Sequence, residues 1–260
     1  MEALANFAKY TNALILREIR IRMGSNPLSL LWVVTEPILN VMIFISIKLV
    51  IGITAVNNID NVLFVVSGIV PFFAFQYAMV KVLYAARSNA SLLSFPKIKT
   101  LHGIMARLIL EYGIMLIVFV LLLSIAYWAG HTFHIKDLLM VMYNYTLCVL
   151  FGAGIGLIFS PIIGRFHFMD TFLTLYRRIL FFTSGVFFAV DSVPLEIQKI
   201  IALNPLVHTL ALLRSNLFEN YVGNEIFQND FYATGCIALT LFFGLIMIRK
   251  YENWAYETPS

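Results

Sequence analysis

Six runs of 18 to 26 mostly apolar residues dominate this sequence, at about 31–53, 62–86, 104–129, 138–163, 171–190 and 231–248. A helix needs roughly 20 such residues to cross the hydrocarbon core of a bilayer. Six crossings take up about half of the 260 residues, and the remainder is loop-sized, so no soluble catalytic domain fits. Composition agrees. Apolar residues make up 60% of the chain and charged residues only 12%, where soluble domains carry about a quarter charged. The 23 phenylalanines exclude a disordered chain. The expectation is an all-α, multi-pass membrane protein, with one transmembrane domain over 1–260.

The segments between the runs differ in kind. In 4–23, Lys9, Arg17 and Arg20 fall within about 80° of one helical face, and Leu4, Ala8, Ile15 and Ile19 group opposite. The pattern predicts an amphipathic helix in the membrane interface, ended by Gly24, Asn26 and Pro27. Residues 1–26 lack the apolar core of a signal peptide, so the first run is expected to direct insertion. Residues 87–103 are polar, basic and broken by Pro96. Gly152, Gly154 and Gly156 give the fourth run a small-residue face that permits close helix approach. Arg177 and Arg178 interrupt the fifth run. Beyond it, Pro194 and Pro205 divide 191–218 into two apolar pieces of roughly 8–13 residues, too short to cross. They predict a re-entrant or interfacial helical hairpin, sheltered by protein.

Lysine and arginine are distributed unevenly about the runs. The N-terminus, 87–107, 164–178 and the C-terminus, assigned to one side, gather thirteen of the 18. The other side holds Lys136, Lys199 and Arg214, and Lys48 and Lys81 lie within runs. Positive residues favour the cytoplasmic side, which places both termini there. The net charge of +4 thus reports topology rather than nucleic-acid binding.

Catalytic and phosphate-binding patterns are absent from the sequence. It has neither the GxxxxGK[ST] phosphate loop nor HExxH. His131 and His134 read as an ordinary outer-loop pair, because the loop supplies too few further metal ligands. Asp170 reads as the cap of the fifth run. Ion-coupled carriers keep ionisable groups near mid-membrane. Here Glu36 and Glu111 sit near the inner ends of their runs, Lys48 near an outer end, and Lys81 within snorkelling reach of the cytoplasmic face. The middle is almost free of acids, which favours transport driven by an external energy source.

The order of these parts resembles the transmembrane subunits of type 2 ABC exporters, in particular the capsular polysaccharide export branch, over almost the whole chain. Three pieces carry the resemblance. The first is Leu16 to Phe44, where Arg17, Glu18, Arg20 and Arg22 precede Trp32 and the Glu36, Pro37 pair. The second is Ser184 to Phe188, followed by Val193 and Pro194. The third is Asn204, Pro205 and Leu206, with His208 and Arg214. The sequence departs at Met23 and Gly24, where relatives often have an aromatic residue, and at Ala211, where they often carry Glu.

The resemblance implies a homodimeric permease in the bacterial inner membrane. Two copies of a separate cytoplasmic ABC ATPase would bind ATP and Mg, this chain holding no cofactor, catalytic residue or metal itself. The implied substrate is a lipid-linked capsular polysaccharide, passed on to periplasmic adaptor and outer-membrane export proteins. O-antigen or teichoic-acid export is the alternative, with a drug or lipid exporter and an intramembrane transferase below it. Residues 88–101 would form the coupling helix, with Arg87, Ser94, Phe95, Lys97 and Lys99 on the ATPase. Arg17, Arg20 and Arg22 would lie near lipid headgroups and the point of substrate entry.

Aromatic faces suit the C–H faces of sugars and tolerate sliding. Candidate path residues are Phe73, Gln76, Tyr77, Lys81, Phe187, Phe188 and Arg214. Gln76 and Tyr77 qualify because a buried polar tip wants a partner. Lys81 and Arg214, like Glu111, qualify because charge within a membrane is costly. Arg214 is expected either to meet an acidic polymer or to cap the hairpin against Glu219 or Asp191.

Overall fold

The computed structural model describes residues 2–23, 28–52, 55–88, 99–166 and 168–251. Helices α1 (Glu2–Met23) and α2 (Leu28–Val50) lead to a tiny antiparallel ribbon, β1 (Ala55–Val56) and β2 (Ile59–Asp60). Its two turn residues, Asn57 and Asn58, take positive φ of 51° and 62°, as a tight hairpin requires. Then follow α3 (Asn61–Leu83), α4 (Ala85–Ser88), α5 (Thr100–Trp128), α6 (Leu138–Arg165) and α7 (Phe168–Thr183). The chain closes with α8 (Leu195–Ile201), α9 (Pro205–Leu217) and α10 (Asp230–Lys250).

Side-chain caps set several starts. Asp60 accepts from the Val62 N–H, Asp137 from those of Leu139 and Met140, and Asn229 from that of Tyr232. Among the described residues, α3, α5, α6 and the segment Glu225–Lys250 are long and apolar enough to cross a membrane. The count rises to five if α8 and α9, bent by 98°, form one broken span. The protein is thus an all-α, multi-pass membrane protein.

The six apolar runs correspond to α2, α3, α5, α6, α7 and α10. The fifth differs from expectation. It reads as one helix to about 190, but α7 ends at Thr183, where Gly185 turns the backbone to φ +61°. Its 16 residues span about 24 Å, short of a typical hydrocarbon core of about 30 Å.

The core centres on α6. A Cβ on Gly152 would strike the Phe75 carbonyl of α3, and one on Gly156 would lie 2.7 Å from that of Met79. On the other side, a Cβ on Gly154 would be 3.0 Å from Thr240 of α10. Without a hydrophobic driving force in lipid, such backbone approach lets dispersion hold helices together.

Candidate transport cavity and its flanks

A cavity of about 650 Å³ lies between α2, α3 and α7. Helix α3 supplies Phe72, Phe73, Gln76, Tyr77, Val80 and Lys81, a single face at helical spacing. Helix α2 adds Glu36, Asn40 and Phe44 at steps of four, and α7 adds Thr174, Arg177, Arg178, Phe181 and Phe182. Chain direction sorts these groups. At the end nearer α1 stand Glu36, Lys81 and Arg177, a mouth with more cations than acids. At the opposite end the rings of Phe44, Phe72 and Phe181 meet, Phe181 lying 5.4 Å from Phe44 and 5.2 Å from Phe72.

A charged cluster flanks the mouth. Arg22 of α1 pairs with the buried Glu111 of α5, and Lys81 lies 4.0 Å from the same carboxylate. Glu18 is 3.4 Å from Arg107 and 3.7 Å from Arg22. Both pairs joining α1 to α5 are 89 residues apart, so the helices run parallel here and their charges match in reverse order. Phe7 and Tyr10 close the contact on the His102 ring at 4.6 and 5.7 Å.

The side of α1 packed on the bundle holds Phe7, Thr11, Leu14, Glu18 and Arg22, and Ala8 lies on its exposed side. Arg22 turns inward to Glu111 rather than out to headgroups. Arg17 and Arg20 stay on the surface beside a shallow cavity of about 420 Å³.

The other end of the bundle is tied by α9. Asn204 caps α9 by accepting from the Leu206 N–H at 3.0 Å, and donates to Ser184 Oγ at 2.9 Å. His208 Nε2 donates to the Ala202 carbonyl at 2.8 Å while its Nδ1 accepts from the Asn229 N–H, which fixes the bend between α8 and α9. Arg214 is buried. It donates to the carbonyls of Gly185 (2.8 Å), Phe64 (3.2 Å) and Val186 (3.4 Å) and to Ser67 Oγ (3.4 Å), and stacks 3.7 Å from the centre of the Phe64 ring. The non-helical backbone after α7 thereby finds donors inside protein, as membrane depth demands. Asp191, considered for Arg214, instead accepts from Asn57 at 2.9 Å, and Glu219 is exposed.

Residues 10–218 match the ABC-2 type transporter family. The chain belongs to that family. Over 241 residues, 93% of each chain, it is 32% identical to the polysialic acid transport protein KpsM of Escherichia coli. It is 26% identical over 254 residues to the capsule polysaccharide export inner-membrane protein CtrC of Neisseria meningitidis serogroup B, covering 97% of this chain and 94% of that one. The O-antigen export system permease protein RfbA of Klebsiella pneumoniae is 26% identical over 239 residues, 90% and 88% of the two chains.

Within this ABC-2 transporter chain the structure gathers Phe73, Gln76, Tyr77 and Lys81 around one cavity. Phe187 lies behind it, 5.7 Å from Phe44, and Phe188 is half-buried in the same loop. Arg214 stands apart, its donors spent on backbone and Ser67. Arg87 of α4 donates to the Ile163 carbonyl of α6 at 2.7 Å, and Lys99 is exposed at the start of α5. Most of the coupling segment 88–101, with Ser94, Phe95 and Lys97, lies outside the described residues. Sequence reasoning missed Arg177 and Arg178 as lining groups, and Glu18 and Arg107 as partners. The signal for the second pair was present: opposite charges four apart on α1, mirrored four apart on α5.

Proposed function

We propose that two copies of this chain form the pore of an ATP-driven exporter in the bacterial inner membrane, and that its substrate is a lipid-linked capsular polysaccharide. The cavity between α2, α3 and α7 carries this reading. Its cationic mouth attracts an anionic, lipid-linked head group, and its aromatic end offers stacking faces on which a sugar chain slides. The cavity wall is open on one side. Exposed Leu39, Met42 and Ile43 of α2 and Leu175, Ile179 and Phe182 of α7 suit coverage by a second copy. The named roles of the relatives in polysialic acid and capsule transport support this substrate class, and the Klebsiella relative keeps O-antigen export as the alternative.

In this reading α2, and α7 together with the following loop that Arg214 holds, complete six spans. Both termini and α1 face the cytoplasm, and the bent pair α8 and α9 faces the periplasm, where adaptor and outer-membrane proteins take over. Energy comes from two copies of a separate ATPase that binds ATP and Mg and seats on 88–101, with Arg87, Ser94, Phe95, Lys97 and Lys99 at the contact. Arg17 and Arg20 hold lipid headgroups.

Polymer location in a deletion strain tests the reading. Full-length polymer should accumulate inside. Wild type should return it to the surface, and Phe95→Asp or Lys97→Glu proteins that still reach the membrane should not. Unchanged surface polymer after deletion would overturn the reading, and loss of polymer everywhere would point to synthesis instead.

A further inference from the structure

The large cavity stops at its aromatic end, and behind that end stands a buried lysine. Lys48 of α2 is 1% exposed, one helical turn beyond Phe44, and its Nζ makes no hydrogen bond among the described residues. It lies between two rings, 4.6 Å from the centre of Phe64 and 5.3 Å from that of Phe187. Phe187 packs on Phe44, which lines the large cavity. Phe64 lines a second, small cavity of about 20 Å³ toward α9. Lys48 therefore occupies the wall between the two spaces. Arg214 shares the Phe64 ring, but its donors are committed to four oxygens. Among the described residues, the donors of Lys48 are uncommitted.

A lysine that anchors a helix at the interface keeps its head in water, and this one does not. An ammonium enclosed by apolar groups without an acceptor is costly, and rings repay only part of the lost hydration.

We propose that Lys48 is an anion-binding station on the outward leg of the path. When Phe44, Phe72, Phe181 and Phe187 part, its ammonium takes a carboxylate or phosphate of the passing saccharide. The inference rests on the export reading and deepens it: an acidic chain gains a partner at this point, and a neutral chain gains none.

The test uses whole cells lacking the native gene. One strain makes a sialic acid homopolymer and another a neutral polymer on the same lipid anchor. Surface and internal polymer are quantified with wild type, Lys48→Met and Lys48→Arg at matched membrane levels. The acidic-to-neutral ratio at the surface should fall about tenfold in Lys48→Met and stay within about threefold in Lys48→Arg. If Lys48→Met fails to insert, Lys48→Gln is read by the same criterion. An unchanged ratio overturns the station, whether both polymers pass or both stall. A wild type that exports neither polymer overturns the export reading itself, and the station with it.

Discussion

The two sides of the bundle are built to different tolerances. On one, α6 lies between α3 and α10 with glycines at the contacts, so close that a single Cβ at Gly152 has nowhere to go. On the other, α2 and α7 stand off α3 and leave about 650 Å³ lined by rings and cations. Small residues bring helix backbones together where lipid gives no hydrophobic reward for packing. Bulky and charged residues do the opposite, because their own volume and their need for partners hold the seam open. The contrast separates a frame from a wall. The frame of α3, α6 and α10 is closely packed, and the wall of α2 and α7 leaves space against α3.

The largest expected effect tests the frame. Gly152→Leu should cost about 3 kcal/mol or more, read as a lower melting temperature of the detergent-solubilised protein and a lower membrane yield. Gly113→Leu is its counterpart on α5, since a Cβ there meets nothing within 4 Å; this change should be nearly neutral. Equal stability of the two variants would erase the distinction between tight and open seams.

A smaller effect tests the flank that joins α1 to the frame. Glu111→Gln leaves Arg22 facing a neutral amide in a buried site and should cost about 1–3 kcal/mol in thermal unfolding. Combining it with Arg22→Met should recover part of that loss in a double-mutant cycle. Strict additivity would mean that the two side chains do not act as a pair.

The smallest stability effect belongs to the wall. Arg177→Gln with Arg178→Gln should change stability by only about 0.5 kcal/mol while lowering surface polymer about tenfold through loss of positive charge at the cavity. A loss of stability comparable to that of Gly152→Leu would make α7 part of the frame.

Much of this contrast could be read in the residues. The glycine triplet of α6 announced a close seam, and the prolines at 194 and 205 announced two short helices. Phe73, Gln76, Tyr77 and Lys81 stood out as aromatic, polar or charged groups in an apolar run, and the period of α3 brings them to one face. Those features are local, and local periodicity is what a sequence displays directly. The amphipathic pattern of α1 says nothing of the face that packs on protein. Its partner α5 offers a histidine and two charges, so the buried side of α1 carries Glu18 and Arg22. The end of α7 was missed because apolar residues continue through the turn at Gly185. The partners of Arg214 were hidden because they are mainly carbonyls, and every residue has one.

The short helix α4 has a mechanical consequence. Ala85 and Ala86 are buried, and Arg87 grips the Ile163 carbonyl, so the stretch before 89–98 is bolted to α6. The stretch after it begins α5, where His102 is gripped by Phe7 and Tyr10 of α1. The two stretches that flank 89–98 are therefore held by different partners, α6 on one side and α1 on the other. The α1 side continues from His102 to the pair of Arg22 and Glu111, beside Lys81 at the mouth of the cavity, so the far flank of 89–98 and the cavity share one helix as their support.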